Sequence, residues 1–408
     1  MSIFKLNNTI MNSAWGCEKS MTELFGYENS HNKPMAELWM GAHPKAPSLI
    51  QSEGETIALD AYIASKPDTV LGTSCAERFH NRLPYLFKVL SAKSPLSIQS
   101  HPNKQQAEDG WARENLLDIP LDAAHRNYKD DNHKPELVFS ITEYHALNGF
   151  REFDVIISLF ERIESDLIRP LLTEFKNQQQ SAGLKQFYQS ILTHPDKTKF
   201  VAEVLEGCAQ QLNNELLSEE ALNAYQLVIS LNDYYPNDIG ITSAFILNYI
   251  ILAPNEAMYL KAGTPHAYLK GTGLELMANS DNVLRGGLTP KHIDVPELMS
   301  TTVFEATPLA ELKLKPRLAR NNQEHIYVTP AIDFQFSILE VTEAGGTIEV
   351  NSAEILFVVE GKLTLKGATE NERESLLEKG DSYFVSAQCK QYVVQGNAKI
   401  ARAITPSA

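Results

Sequence analysis

The chain has 408 residues, of which 43% are hydrophobic and 21% charged, the balance of a globular protein with more than one core. Its formal charge of -15 excludes a general nucleic-acid or acidic-membrane surface, because phosphate backbones are held by clustered Lys and Arg. A small anion stays admissible if a local basic pocket receives it.

The N-terminus, MSIFKLNNTIMNSAWG, lacks an apolar run of signal-peptide length. Residues up to about Phe150 read as short strands and loops, broken by Gly41, Pro44, Pro84, Pro95 and Pro102. Within them, PYLFKVLSAKSPLSIQS holds two apolar runs around Lys93-Ser94-Pro95 and predicts a hairpin. From Arg151 to about Tyr235 apolar residues recur at helical spacing, as in Phe153, Ile157 and Phe160, and later Leu222, Tyr225 and Ile229. Breaks at Gly183 and at His194-Pro195-Asp196 divide this block into several helices.

Strands return over 246–268, and from about Ala331 a series of short, evenly spaced strands predicts a closed sandwich or barrel. Glu360-Gly361 reads as a two-residue hairpin turn, glycine supplying the positive φ. The most apolar stretch, SAFILNYIILA from Ser243, is interrupted by Asn248 and too short for a membrane span. Cys17, Cys75, Cys208 and Cys389 form no C-x-x-C pair, as expected for reduced thiols in a cytoplasmic protein.

Three strings carry candidate chemistry. In SIQSHP, Gln99 and His101 are two apart and share one face of a strand. In NHKPELVFS, Lys134 and Glu136 do the same. In AGTPHAY, His266 follows a Gly-Thr-Pro turn. Each alone is ordinary, since a buried imidazole has many partners and a same-face Lys–Glu pair is common. Together Gln99, His101, Glu136 and His266 offer one amide oxygen, two imidazoles and one carboxylate, a mixed set compatible with an open Zn²⁺ site.

The ordered motifs AELWMGAHP at Ala36, QSHP at Gln99, HKPE at His133, AGTPHAY at Ala262 and GLELMANSDNVLRGGLTPKHID at Gly273 closely resemble the type I mannose-6-phosphate isomerases. The match runs in order from Trp15 to about Asp294. One departure is Ser13, two residues before Trp15, where the family often has an aromatic.

The resemblance implies a mainly β fold of two cupin-like jelly-roll barrels with an inserted α-helical subdomain. Residues 1–150 plus 239–310 would form the catalytic barrel, 151–238 the helical insertion and 311–408 the C-terminal barrel. It further implies one Zn²⁺ per chain on Gln99, His101, Glu136 and His266, a catalytic Arg285, and interconversion of mannose 6-phosphate and fructose 6-phosphate through an enediol(ate). Candidates for the proton-transfer base are Glu275, His133 and Lys134, and the residues do not choose among them. Lys88, Lys291 and Ser97 are candidates for the phosphate, with Trp15 and Asp281 as further substrate contacts.

The expected partner is a small sugar phosphate, with no nucleic acid or membrane, and the expected state is a monomer. Two other readings stand beside this one. His101, Glu136 and His266 would also suit an Fe(II) cupin oxygenase, although oxygenase cupins usually place a glutamate close after a His-x-His pair. A non-enzymatic sugar-phosphate sensor on the same scaffold would not need the ligands and Arg285 together.

Overall fold

The computed structural model describes residues 2–214, 216–320, 323–367 and 374–407. Two antiparallel sheets face each other, and a bundle of helices packs on the far side of the first. In the first sheet the strands run in the order 313–314, 257–260, 136–140, 266–278, 85–92, 37–41 and 9–11. Its centre is the 13-residue strand His266–Ala278. The half over 271–278 pairs with Tyr85–Ala92 and with Glu136–Ser140, while the half over 266–270 pairs with Ile98–Ser100 and Tyr144–Phe150. One long strand thus closes both halves of the barrel and aligns everything attached to them.

Strand Tyr85–Ala92 is buried on both faces for two different reasons. Tyr85, Phe87 and Val89 point outward into a core shared with Phe336, Ile355 and Phe357 of the second sheet. The Tyr85 hydroxyl donates to the carbonyl of Ala403 at 2.9 Å, so even the polar tip is satisfied across the interface. Lys88, of opposite parity, points into the first barrel, as the pleat dictates.

The second sheet runs in the order 3–5, 382–385, 354–367, 391–404, 335–341, 324–327 and 317–319. Its first member, Ile3–Lys5, comes from the N-terminus and pairs with Ser382–Val385. Inside this barrel Arg402 is held by Glu354 and Glu324, a buried ion group that fills the space with satisfied charge. The helices Phe153–Glu161, Ile168–Asn177, Ser181–Leu192, Lys197–Gln211 and Glu219–Tyr234 lie between strands Tyr144–Phe150 and Leu247–Leu252. Their apolar faces join Ile98, Leu147, Leu284 and Leu288 in one core.

Three local expectations are corrected. The runs either side of Lys93-Ser94-Pro95 do not form a hairpin. Lys93 and Ser94 donate to the carbonyl of Trp15 and Leu96 donates to that of Tyr268, so the chain turns aside to reach the other half of the long strand. Glu360-Gly361 is not a turn either. It lies within the continuous strand Glu354–Gly367, where the register shifts between Val358 and Glu360 and Gly361 adopts φ 76°. The positive φ serves a β-bulge that bends the strand. The segment before Phe150 also contains helices, the longest being Lys104–Leu116, started by a capping box between Asn103 and Gln106.

Candidate metal centre and active site

Register alone aligns the first group of residues. Gln99 lies directly opposite His266 on one side and opposite Arg285 of strand Leu284–Gly287 on the other. Directly opposed residues share a face, so His266, Gln99 and Arg285 form a row across three strands. His101 follows just past the strand end, and its carbonyl accepts from the Gly263 N–H at 2.7 Å. Gly263 has φ 77°, and this left-handed residue lets the Gly-Thr-Pro turn deliver His266 beside His101. Their ring centroids are 5.0 Å apart.

Glu136 completes the cluster. Its Oε1 lies 3.3 Å from His101 Nε2, and its Oε2 lies 3.2 Å from His266 Nε2. One ligand atom from each of the three residues falls within 4.8 Å of the others, and all three residues are buried. His101 Nδ1 is 2.6 Å from the carbonyl of Asn282, and His266 Nδ1 is 2.9 Å from that of Thr264. A carbonyl only accepts, so both Nδ1 atoms carry the proton and both Nε2 atoms present lone pairs to the carboxylate.

Lone pairs facing an anion repel one another. Among the described residues His101 Nε2 is a buried atom with no hydrogen-bond partner. A cation seated among these atoms converts the repulsion into three bonds, so the residues fit a metal with mixed nitrogen and oxygen ligands. Gln99, opposite His266 in register, lies on the same face.

The surroundings tune the same group. Lys134 Nζ bonds Glu136 Oε1 at 2.9 Å, and the Tyr268 hydroxyl donates to Oε2 at 2.8 Å. Burial works to raise the Glu136 pKa, but the Lys134 charge, the largest opposing influence, holds it well below the ordinary carboxylate value. Burial, aided by the Lys134 charge, pushes His101 from its ordinary 6.5 down to about 4.

These shifts set a pH dependence. Between pH 6.5 and about 4 the unfolded chain takes the His101 proton before the folded one does, so acidification destabilises the fold across that window by on the order of 3 kcal/mol. Glu136 acts in the same direction lower down, since its contribution is present above the carboxylate range and is lost as pH falls below it. The urea midpoint of the metal-free protein should fall between pH 6.5 and 4.5, and less so in His101→Gln. Equal slopes in both proteins would contradict this account of His101.

The remaining candidates separate into those the structure brings to the site and those it does not. Glu275 faces Lys88 and Val138 in register and points to the same interior as Glu136. Burial, opposed by Lys88 and reinforced by Glu136, raises its pKa above the ordinary value. The Arg285 guanidinium is half-buried, and among the described residues no hydrogen bond or ion pair engages it. Its strand is anchored through Asp238, which accepts the Thr289 N–H at 3.0 Å.

Lys88 points into the interior of the first barrel. Its ammonium is buried, 2.8 Å from Glu275 and 3.2 Å from Glu37, and lies over the Trp39 ring at 5.5 Å. It is the counter-ion of two carboxylates, with little freedom left for a phosphate. His133 bonds Asp333 at 2.9 Å, toward the second sheet. Asp281 bonds Lys45 at 2.8 Å, Lys291 is exposed, and Ser97 is half-buried. Trp15 packs on the cluster around Leu90 and Tyr268.

Sequence reasoning missed Tyr268 and Asn282; within the AELWMGAHP motif the Trp39 indole N–H donates to Glu37 at 3.1 Å. Tyr268 carried a usable signal, being two residues after His266 on one strand face. Asn282 carried none, because it acts on His101 through a main-chain atom.

Comparison with known proteins agrees with this geometry. The family model of the phosphomannose isomerase type I catalytic domain matches residues 3–153, and that of the mannose-6-phosphate isomerase cupin domain matches 323–405. The chain is 44% identical over 400 residues to the mannose-6-phosphate isomerase of Escherichia coli (strain K12), covering 98% of each. It is 32% identical over 410 residues to that of Homo sapiens, covering 94% of this chain and 93% of the other.

Among solved structures, a lysine-to-alanine variant of phosphomannose isomerase from Salmonella typhimurium superimposes with a TM-score of 0.92 at 42% identity, with full coverage of both chains. A zinc-bound mannose 6-phosphate isomerase does so with a TM-score of 0.91 at 42% identity, again with 100% of both chains covered. With two whole-length relatives above 30% identity and a buried cluster that fits a metal, this chain belongs to the type I mannose-6-phosphate isomerase family.

Proposed function

We propose that this chain is a zinc-dependent aldose–ketose isomerase that interconverts mannose 6-phosphate and fructose 6-phosphate. The observation that carries the reading is the convergence of His101, Glu136 and His266, with protons fixed on the far ring nitrogens, beside an unpaired Arg285. The residues proposed to hold the metal are Gln99, His101, Glu136 and His266. Bound there, zinc would supply Lewis-acid stabilisation of developing oxygen charge.

The chain's own residues account for the rest of the chemistry. The reaction moves a proton between carbons 1 and 2 of the open-chain sugar, and the enediol(ate) between them carries negative charge on oxygen. We assign the proton transfer to Glu275, whose burial raises its proton affinity and whose Lys88 partner fixes its orientation. Lys134 holds Glu136 by an ion pair, which favours an orienting role. Arg285 is the cation assigned to the oxyanion or phosphate, since a guanidinium stays charged at any working pH.

His133, tied to Asp333, is assigned to the join between the two barrels. Lys291, Ser97 and Asp281, with Lys45, are left as rim groups, and Trp15 as packing. We further propose the three-part division into a catalytic barrel, a helical insertion over 151–238 and a C-terminal barrel that also takes in Ile3–Lys5. Among the described residues no helix is long and apolar enough to cross a membrane. The four cysteines form no disulfide among the described residues, which fits a reducing cytoplasm, and every proposed ligand comes from one chain, which fits a working monomer.

A coupled assay tests the function. Turnover of mannose 6-phosphate to fructose 6-phosphate should disappear after chelator treatment and return when Zn²⁺ is added back. Oxygen consumption with Fe²⁺, without aldose–ketose exchange, would favour the oxygenase reading. Tight sugar-phosphate binding without turnover would favour the sensor.

A further inference from the structure

Asn282 is fully buried, and each of its polar groups is engaged. Its main-chain carbonyl accepts from His101 Nδ1 at 2.6 Å, and its main-chain N–H donates to Ser280 Oγ at 3.1 Å. The side-chain Oδ1 accepts from the N–H groups of Lys129 at 2.7 Å and Asp130 at 3.2 Å. The side-chain Nδ2 donates to the carbonyls of Asp130 and Asn132, each at 2.9 Å, and to Asp130 Oδ1 at 3.2 Å. Asp130 closes the unit by accepting from the Ser280 hydroxyl at 2.8 Å and the Asp281 N–H at 2.7 Å.

Two irregular segments are locked together by this residue, and both run directly into the site. Segment 129–132 continues into Lys134 and Glu136, while 280–282 continues into Arg285. Irregular backbone normally satisfies its polar groups with water, and here a buried amide replaces that water. Only an amide serves, because the site asks one side chain for an acceptor facing two N–H groups and donors facing two carbonyls. A carboxylate would set negative oxygen against both carbonyls and the Asp130 carboxylate.

We infer that Asn282 is a positioning residue for the metal centre. Its carbonyl aims the His101 ring and fixes its tautomer, while its side chain clamps the segment that delivers Glu136. One residue therefore sets the distance between ligands from two separate parts of the chain. The inference rests on the zinc reading given above. Outer partners of metal ligands typically alter affinity by about 10- to 100-fold when lost, because the ligands must then be reoriented on binding.

The test compares wild type with Asn282→Asp and with Ser280→Ala, a milder change that removes one link and keeps the amide. Zinc affinity is read by competition with a chromophoric chelator, the His101 tautomer by ¹⁵N NMR of the metal-free protein, and stability by urea unfolding. Wild-type His101 should be the Nδ1–H tautomer alone. Asn282→Asp should mix the tautomers and weaken zinc binding about 10- to 100-fold, with a smaller loss in Ser280→Ala. A lower urea midpoint with unchanged zinc affinity and tautomer in the folded variants would mean a structural role only and overturns the inference. Should Asn282→Asp not fold, Ser280→Ala decides on the same two readouts. If wild type itself fails to bind zinc, the reading beneath falls, and the tautomer alone judges Asn282.

Discussion

Replacing Glu136 by glutamine is expected to strip zinc from the protein and lower turnover on mannose 6-phosphate by on the order of 10³- to 10⁴-fold. Glu136 lies between the two Nε2 atoms, at 3.3 Å and 3.2 Å, and is the only anion of the trio. Its charge is what makes a divalent cation more favourable in this buried space than in water, since two neutral imidazoles alone offer no compensation for desolvation. A glutamine keeps the shape, but its amide N–H donates to the imidazole lone pair that the metal needs. The fold should survive, because the amide oxygen still accepts from Tyr268 or Lys134, both of which now bond the carboxylate. Zinc content after gel filtration, near-ultraviolet circular dichroism and the coupled assay check the three parts separately. A folded variant that retained zinc and wild-type turnover would remove Glu136 from the ligand set.

How legible this centre was depends on which physical rule placed each residue. Two-residue spacing on a strand is a local rule, so Gln99 beside His101 and Lys134 beside Glu136 are readable from the sequence alone. That His266 stands opposite Gln99 is set by strand register, and the side-chain pattern does not reveal which half of a 13-residue strand takes which partner. The hairpin expected at Lys93-Ser94-Pro95 failed for this reason. The carboxylates that hold Lys88 were not legible, because its sequence neighbours show nothing of Glu275, 187 positions away. Helix Lys104–Leu116 was legible and overlooked, since Asn103 and Gln106 spell a capping box. The bulge at Gly361 shows the converse. A glycine's positive φ can be inferred from sequence, but whether it turns the chain or bends it depends on the 14-residue partner strand Gln391–Ile404.

Arg285→Ala should separate binding of the metal from chemistry. Arg285 lies one strand beyond Gln99 in the row that begins at His266, on the same face of the sheet. Burial lowers its pKa from the ordinary value, which records the cost of holding a cation there. Among the described residues no carboxylate offsets that cost, so the charge is kept for an anionic group that arrives with the substrate. Removing it should leave zinc content unchanged and lower kcat by about 10²- to 10³-fold, the usual loss when one donor to a developing oxyanion is deleted. Arg285→Lys should recover only part of this, since an ammonium carries the charge without the planar fork. The split between constants then locates the charge it serves. A fall mainly in kcat places Arg285 on the enediolate oxygens, whereas a rise mainly in KM places it on the phosphate, which bears its charge in ground and transition states alike. Wild-type kcat and KM in Arg285→Ala would end the assignment, and the unpaired, half-buried cation would then require a purely structural account.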